Sequence, residues 1–205
     1  MDGFIGCMTA TTEELPEAVA VMDPFHVERL AGDALDQCRR RVQQDTCGHR
    51  GRTGDPLYAS RRTLHTGAGL LTDKQKSRLE ALFAVEEHAA VEVTWSTYQR
   101  IIGAYRDPDR SKGKKVLTKL IATLARGIPA ALSELITLGR TLHRRATDVL
   151  AYFDRPGTGN GPTEAINGRL EHPRGSALGF RNLTNYIARS LLEAGGFRPQ
   201  LHRQL

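Results

Sequence analysis

The helical periodicity of residues 26–154 constrains the fold of this chain more than any other feature. Apolar residues recur there every three or four positions, the spacing of helices that bury one face. In the first segment these residues are Val27, Leu30, Ala31, Ala34, Leu35, Cys38 and Val42. Residues 18–22 (AVAVM) form the only short apolar run typical of a strand. We therefore predict a mostly α-helical chain with one strand near its beginning.

Turn and cap signals divide this periodic stretch into about five or six helices. Pro24 suits the first turn of a helix, where its missing N–H costs little. Thr72 is a candidate N-cap. The predicted helices run from Pro24, over about 57–65, 73–85 and 90–106, from Pro108, and from Pro129 to about 153. Residues 155–161 (RPGTGNG) predict a flexible linker, followed by a helix near 162–171, a turn at Pro173 and Gly175, and a helix near 181–194.

Composition and charge narrow the function classes. The 205 residues contain no apolar run of about 18, which would be needed to span a bilayer, and no signal peptide is recognisable. Three cysteines without a CxxC pair favour free thiols, so we expect a cytoplasmic protein. Residues 1–37 carry a net charge of −7, residues 38–154 carry +9 and residues 155–205 carry +4. An acidic head before a basic body fits a nucleic-acid enzyme with a metal site, although solvated basic helix faces are an equally simple explanation.

Four short motifs carry the chemistry that the sequence suggests. They are MDGF at 1–4, DPFH at 23–26, an N-x3-E-x2-N pattern from Asn160 through Glu164 to Asn167, and GFRN at 179–182. The apolar run followed by DPFHV, the long helical block, and then N-x3-E-x2-N followed by GFRN resemble the DDE transposases of the ISL3 insertion-sequence group. The resemblance covers the chain from Asp2 to about residue 196, and the combination of motifs is more specific than any one of them.

The resemblance implies a fold and a catalytic centre. In such enzymes a ribonuclease-H-like sheet carries two aspartates and one glutamate that hold two divalent metals, and an all-helical insertion separates the second aspartate from the glutamate. Asp2 and Glu164 would then be catalytic and metal-binding, with Mg²⁺ as the cofactor, because hard divalent cations take oxygen ligands. The implied domains are a partial ribonuclease-H-like α/β core at 1–25, the insertion at 26–154 and C-terminal catalytic-core helices at 155–205.

The same resemblance assigns supporting residues, and the clustering of basic residues suggests DNA contacts. Its motifs include Asp23, His26, Asn160, Asn167, Arg181 and Asn182. Candidate phosphate contacts are Arg39, Arg40, Arg41, Arg169, Arg174 and Arg181, together with the basic clusters at 61–62, 112–115 and 144–145. Glu171 and Pro173 interrupt a segment that is usually a basic, apolar helix, which weakens the expectation of DNA contacts there.

Each site residue also has a simpler interpretation. Glu164 suits the first turn of any helix, and Asp23 suits an N-cap. His26 could be a hydrogen-bonded structural histidine, and Asp2 could be an unordered terminal residue. Glu171, two helical turns beyond Glu164, is a competing carboxylate that we expect at the surface. Whether Asp2 or Asp23 lies nearer the metal site is left open.

The sequence therefore predicts the C-terminal part of a DNA transposase acting on double-stranded element ends, associated with the nucleoid and able to form homo-oligomers. No earlier catalytic aspartate, zinc ribbon or helix-turn-helix region is found, so we expect a truncated chain that is inactive alone. The alternatives are a non-catalytic helical DNA-binding or assembly module that regulates transposition, an unrelated helical regulator, and a decayed product that does not fold stably.

Overall fold

The chain folds into helices throughout the part that the structure describes. The computed structural model describes residues 17–49, 51–159 and 161–194, and only the backbone of residues 162–164 and 194. Within these ranges there are ten α-helices and no β-strand, which confirms the mostly helical prediction. The helices are α1 (Pro24–Cys47), α2 (Pro56–Ala59), α3 (Arg61–Leu64), α4 (Asp73–Phe83), α5 (Ala89–Arg106), α6 (Arg110–Leu124), α7 (Ser133–Arg144), α8 (Ala146–Asp154), α9 (Gly161–Ser176) and α10 (Leu183–Ala194).

The chain consists of two compact units, and the boundary between them lies between Thr158 and Gly159. The first unit contains α1 to α8, and its core forms where α5 packs on α1 and α6, while α7 and α8 both pack on α6. The most deeply buried side chains include Leu35, Ile101, Leu117 and Leu142, one from each of four helices. The apolar stripe of α1 that the sequence predicts is buried, apart from the half-buried Leu30.

A glycine permits the close approach of α6 to α5. A Cβ atom added to Gly113 would lie 2.3 Å from the backbone oxygen of Ala104 and 2.9 Å from the ring of Phe153. Neither neighbour is the free end of a flexible side chain, so any larger residue would push the two helices apart. The spacing of α5 and α6 therefore depends on the absence of a side chain at position 113.

The predicted strand at 18–22 is wrong. These residues have no assigned secondary structure, although Val21 and Met22 are buried. The backbone N–H of Met22 donates to the carbonyl oxygen of Asp148 in α8 at 2.9 Å. The end of the apolar run, Val21 and Met22, is thus buried, whereas Ala18 and Val19 are exposed. A helix carbonyl satisfies the Met22 donor that a neighbouring strand would otherwise have to satisfy.

The sequence predicts one continuous helix from Pro129 to about residue 153. This prediction is wrong, because the structure has two α-helices in this range. The chain forms a short 3₁₀ turn at Ala130–Leu132 and then α7 and α8, with a break at Arg145, whose φ and ψ are −109° and 20°. No proline or glycine marks this break. Because of the break, both α7 and α8 pack on α6. One straight helix would extend away from the surface of α6 and could not keep both contacts.

In its described residues the second unit contains α9 and α10, which pack on each other. The turn predicted at Pro173 and Gly175 is wrong, because α9 continues to Ser176 with Pro173 inside it. Proline removes one backbone hydrogen bond, and on this exposed helix water can satisfy the carbonyl left open. The chain reverses instead at Leu178 and Gly179, which have φ of 53° and 95°.

Two of the predicted helix starts are confirmed, whereas the helix predicted from Pro108 begins at Arg110 with Asp109 as its N-cap. Asp23 and Pro24 begin α1, and Thr72 begins α4 with a capping box in which Thr72 and Gln75 exchange hydrogen bonds. In the described part of the chain, no helix is both long enough and apolar enough to cross a membrane.

Candidate catalytic and DNA-binding residues

Asp23 and His26 of the DPFH motif both have structural contacts at the start of α1. The buried Asp23 carboxylate accepts a hydrogen bond from the backbone N–H of Phe25 at 2.8 Å. This N-cap contact satisfies a donor that the helix itself leaves unpaired. His26 is half-buried, and its ring meets that of Phe25 edge-on at a centroid distance of 5.8 Å. Both residues therefore help to shape the beginning of α1, whatever further role the motif has.

The predicted catalytic residues and the motif-supporting residue Asn160 fall outside the described residues. This holds for Asp2, for Asn160 and for the side chain of Glu164, whose backbone lies in the first turn of α9. Elsewhere in the described ranges, no group of three or more His, Cys, Asp or Glu residues is arranged to hold a metal ion. Asp2 and Glu164 offer the carboxylate oxygens that Mg²⁺ prefers, and their joint site stays a prediction.

The three arginines at 39–41 have three different environments. Arg39 is buried and donates to Asp36 at 2.7 and 3.0 Å and to Gln43 at 3.0 Å. Arg40 is exposed and forms an ion pair with the second carboxylate oxygen of Asp36. Arg41 is half-buried and contacts Glu134. Successive residues of a helix point about 100° apart, so a basic triplet cannot present all three side chains to one ligand.

Arg41 ties α1 to the beginning of α7. Its Nε and Nη2 atoms donate to the two carboxylate oxygens of Glu134 at 2.7 and 3.0 Å, and Nη2 also donates to the carbonyl oxygen of Ala131 at 2.9 Å. These hydrogen bonds hold the pKa of Glu134 below its ordinary value, against the opposing effect of burial. The pair is bidentate, the geometry in which arginine binds carboxylates most strongly.

A concavity of about 630 Å³ opens on the surface of the first unit beside the middle of α1. We call it the arginine concavity. Its lining residues are Asp36, Arg39, Arg40, Tyr58, Arg61, Arg62 and His65. Four guanidinium groups thus face one carboxylate. Residues from α1 and from the α2–α3 segment, distant in the sequence, form this surface together.

The α2–α3 side of the arginine concavity is fixed to α1 by a buried amide. Gln43 is fully buried and donates to the carboxylate of Asp55 at 2.8 Å, just before α2. Asp55 also accepts from the backbone N–H of Arg52 at 2.6 Å, which is the main cause of the lowered pKa of Asp55. Gly51, at a φ of 124°, lies so close to Tyr58 that a Cβ atom there would be 2.5 Å from the ring.

The second unit brings together two of the predicted DNA-binding residues. Arg174 of α9 and Arg181 of the GFRN motif line a concavity of about 300 Å³ with Phe180 and Tyr186. Arg174 also pairs with Glu171 at 3.1 Å, and Glu171 is exposed, as expected for a surface residue.

The remaining predicted site residues of the second unit whose side chains the structure describes are exposed. This applies to Asn167, Arg169 and Asn182. Asn182 accepts a hydrogen bond from the backbone N–H of Thr184 at 2.9 Å, so it caps the beginning of α10. Asn167 and Arg169 face solvent on α9.

Several site residues were missed by sequence reasoning. Tyr58 and Asp36 line the arginine concavity, and Gln43 anchors it, yet none lies in a recognisable motif. One signal was available, because Asp36 stands three and four residues before Arg39 and Arg40, the spacing of ion pairs along a helix. Nothing local predicts that Tyr58 meets α1.

Comparison with known proteins places this basic, helical chain among the transposases. The family model for ISL3-type transposases, described as "Transposase", matches residues 1–190. This chain belongs to the ISL3 family of transposases. The match spans the helical block and the motifs on both sides of it, so it confirms the resemblance and argues against an unrelated helical regulator.

Two curated relatives give the same class. Both are transposases for insertion sequence element IS1557 of Mycobacterium tuberculosis, from the strains CDC 1551 / Oshkosh and H37Rv. Each is 25% identical to the chain over 210 residues, covering 93% of this chain and 46% of the relative. The chain therefore spans less than half the length of these relatives. No solved structure matches the chain significantly.

Proposed function

We propose that the chain is the part of a DDE transposase that carries the catalytic glutamate, and that it takes part in metal-dependent cleavage and transfer of DNA strands. The observation that carries this proposal is the family match over residues 1–190, which contains both Asp2 and Glu164. Glu164 lies in the first helical turn of α9, where a carboxylate is favoured by the helix dipole. Residues 1–25 and 155–205 would belong to a ribonuclease-H-like core, with residues 26–154 inserted between them.

The carboxylates of Asp2 and Glu164 would hold divalent metal ions in this core. Bound Mg²⁺ would supply an activated water or hydroxyl nucleophile and neutralise charge on the leaving oxygen. The contribution of the chain is to provide oxygen ligands and to bind the DNA. Asp23 lies near the end of the first predicted core segment. Its carboxylate would fix the start of α1 there, because it caps that helix.

A chemical map of the metal site tests the catalytic part of the proposal. Fe²⁺ replaces Mg²⁺ at oxygen-ligand sites, and with ascorbate and peroxide it generates radicals that cut the polypeptide nearby. We expect cuts near Asp2 and Glu164, suppressed by excess Mg²⁺ and lost in Asp2→Asn and Glu164→Gln. Glu171→Gln is the matched control and should keep the pattern. Cuts elsewhere, or cuts unaffected by these two substitutions, would refute the metal site.

Double-stranded DNA is the partner that the charge distribution supports. Residues 38–154 carry +9, and α1 to α8 display most of these groups at the surface. Binding through phosphates should weaken steeply with salt, and each contact contributes about 0.9 to the slope of log K against log salt. Affinity that is equal at low and moderate salt would contradict this account. The family assignment does not favour the alternative of a purely regulatory module.

A further inference from the structure

The arginine concavity holds more positive charge than its own surroundings neutralise. Asp36 is the single carboxylate among its lining residues, and it contacts both Arg39 and Arg40. The concavity therefore has an excess of three positive charges, from four arginines and one aspartate. Like charges held this close repel one another, and a bound anion would relieve that repulsion.

Three of the four guanidinium groups, those of Arg39, Arg40 and Arg61, are held in place before any ligand arrives. Arg61 donates from Nη1 to the carbonyl oxygen of Tyr58 at 2.9 Å, and its guanidinium carbon lies 4.1 Å from the centre of the Tyr58 ring. Asp36 fixes Arg39 and restrains Arg40 from the other side. Prior ordering reduces the conformational entropy that each arginine would lose on binding.

Donors remain available for an external ligand. Arg61 uses one of its terminal nitrogens internally, which leaves its other N–H groups open. Arg62 is exposed, and its side chain makes no hydrogen bond or ion pair with any described residue. Arg40 is 61% exposed despite its ion pair. Three arginines thus point usable donors at the same space.

The shape and lining of the concavity favour a phosphate backbone over a small molecule. Sites for small ligands enclose most of the ligand. This surface is open and lined mainly by arginine, whose planar fork matches phosphate oxygens. Arg40 also lines the adjoining concavity of about 640 Å³ with Gln37, Arg41 and Gln44, so the polar surface continues along α1.

We propose that the arginine concavity binds phosphate groups of a duplex DNA backbone, with Arg40, Arg61 and Arg62 as the donors. Arg39 and Tyr58 are positioning residues, because Arg39 is buried and Tyr58 acts through Arg61. This inference rests on the proposed function, since it takes DNA to be the partner. It shifts the main contact from the triplet at 39–41 to a surface shared by α1 and α3.

The test compares two double variants that remove the same charge. Arg61→Gln with Arg62→Gln changes the concavity, and Lys119→Gln with Arg126→Gln removes two exposed cations on and after α6. Binding to a fluorescent duplex of about 30 base pairs is measured by anisotropy at several salt concentrations. We expect the concavity variant to lose about ten-fold or more in affinity and about 1.8 in salt slope, the loss for two phosphate contacts. The control should lose less than a third as much.

The outcomes separate this inference from the proposed function. If the unaltered chain does not bind duplex DNA, the DNA-binding function itself fails. If it binds, but the two variants are weakened equally, the concavity is not a site and diffuse charge explains the affinity. Tighter binding to RNA of the same sequence, or saturable binding of inorganic phosphate alone at micromolar concentration, would overturn the assignment to DNA. Circular dichroism of both variants establishes that the fold is retained.

Discussion

Arg41 and Glu134 form two parallel hydrogen bonds, of 2.7 and 3.0 Å, across 93 positions of sequence. The pair joins α1 to α7, and Arg41 adds a bond to the carbonyl oxygen of Ala131. A residue that the sequence suggested as a DNA contact is thus engaged within the fold. Its binding role stays a prediction, but its structural role is visible.

Removing Arg41 should destabilise the first unit. We expect Arg41→Met to lower the free energy of unfolding by about 1–3 kcal/mol, because it leaves the carboxylate of Glu134, only 9% exposed, without its partner. Lys76→Met is the control, since Lys76 and its partner Asp73 are both well exposed and such pairs contribute about 0.2–1 kcal/mol. Urea unfolding measures both. Equal losses in the two variants would contradict the structural role of Arg41.

The Arg41–Glu134 pair should also make stability depend on pH. Its hydrogen bonds lower the pKa of Glu134 from an ordinary value of 4.5, so the folded state favours the ionised carboxylate. The stabilisation is complete above the ordinary pKa and disappears as pH falls through the lowered one. We therefore expect the stability gap between the unaltered chain and Glu134→Gln to close on acidification below pH 4.5. A gap that is constant from pH 7 to pH 3 would exclude this linkage.

The contribution of Glu28 to stability should depend on pH in the opposite direction to that of Glu134. Burial raises the pKa of its carboxyl, although Arg106 partly opposes the shift. The folded state then favours the neutral form, so ionised Glu28 costs stability above the raised pKa. We expect Glu28→Gln to be more thermally stable than the unaltered chain at pH 7, with the difference vanishing as pH falls below 4.5. Melting temperatures at a series of pH values decide this, and a less stable variant at pH 7 would show the prediction to be wrong.

Two glycines on neighbouring helices provide a matched test of packing. Gly113→Ala should cost about 1–3 kcal/mol, because the new methyl group would collide with the Ala104 carbonyl. Gly103 is exposed in α5 with no atom near its Cβ position, so Gly103→Ala should stabilise the helix by about 0.5–1 kcal/mol. Opposite signs in a urea titration are the expected result. The close α5–α6 contact would be disproved if both substitutions stabilised the chain.

Two substitutions at Asp23 distinguish capping from chemistry. Asparagine preserves the acceptor for the backbone N–H of Phe25, whereas alanine removes it. We expect Asp23→Ala to cost about 0.5–2 kcal/mol and Asp23→Asn to cost less. A transposition assay then asks whether the carboxylate itself is needed. Equal stability losses for the two variants would mean that the cap contributes little.

Local chemistry explains which parts of the fold were predictable. The beginnings of α1 and α4 depend on Asp23, Pro24 and Thr72, whose effects extend over one helical turn. The break at Arg145 has no local signal, because it arises from the packing of α7 and α8 on α6. The apolar run at 18–22 fits a strand equally well until its helical surroundings are known.

The candidate site divides in the same way. Sequence alone shows that positions 39–41 are basic, but burial, pairing and exposure of the three side chains depend on what α1 packs against. The Tyr58 ring lines the arginine concavity because the α2–α3 segment packs beside α1, and no sequence motif predicts that packing. Asp2 and Glu164 rest on family resemblance, since two carboxylates so far apart in sequence have no local pattern in common.

The hydrogen bond from Met22 to Asp148 has a topological consequence. It ties Met22, two residues before α1, to the last helix of the first unit. That helix ends at Asp154, six residues beyond Asp148 and about 9 Å along its axis. The polypeptide thus leaves this bundle close to where it came in. A domain whose two ends lie close together can be inserted into a surface loop of another domain without disrupting the fold of that domain.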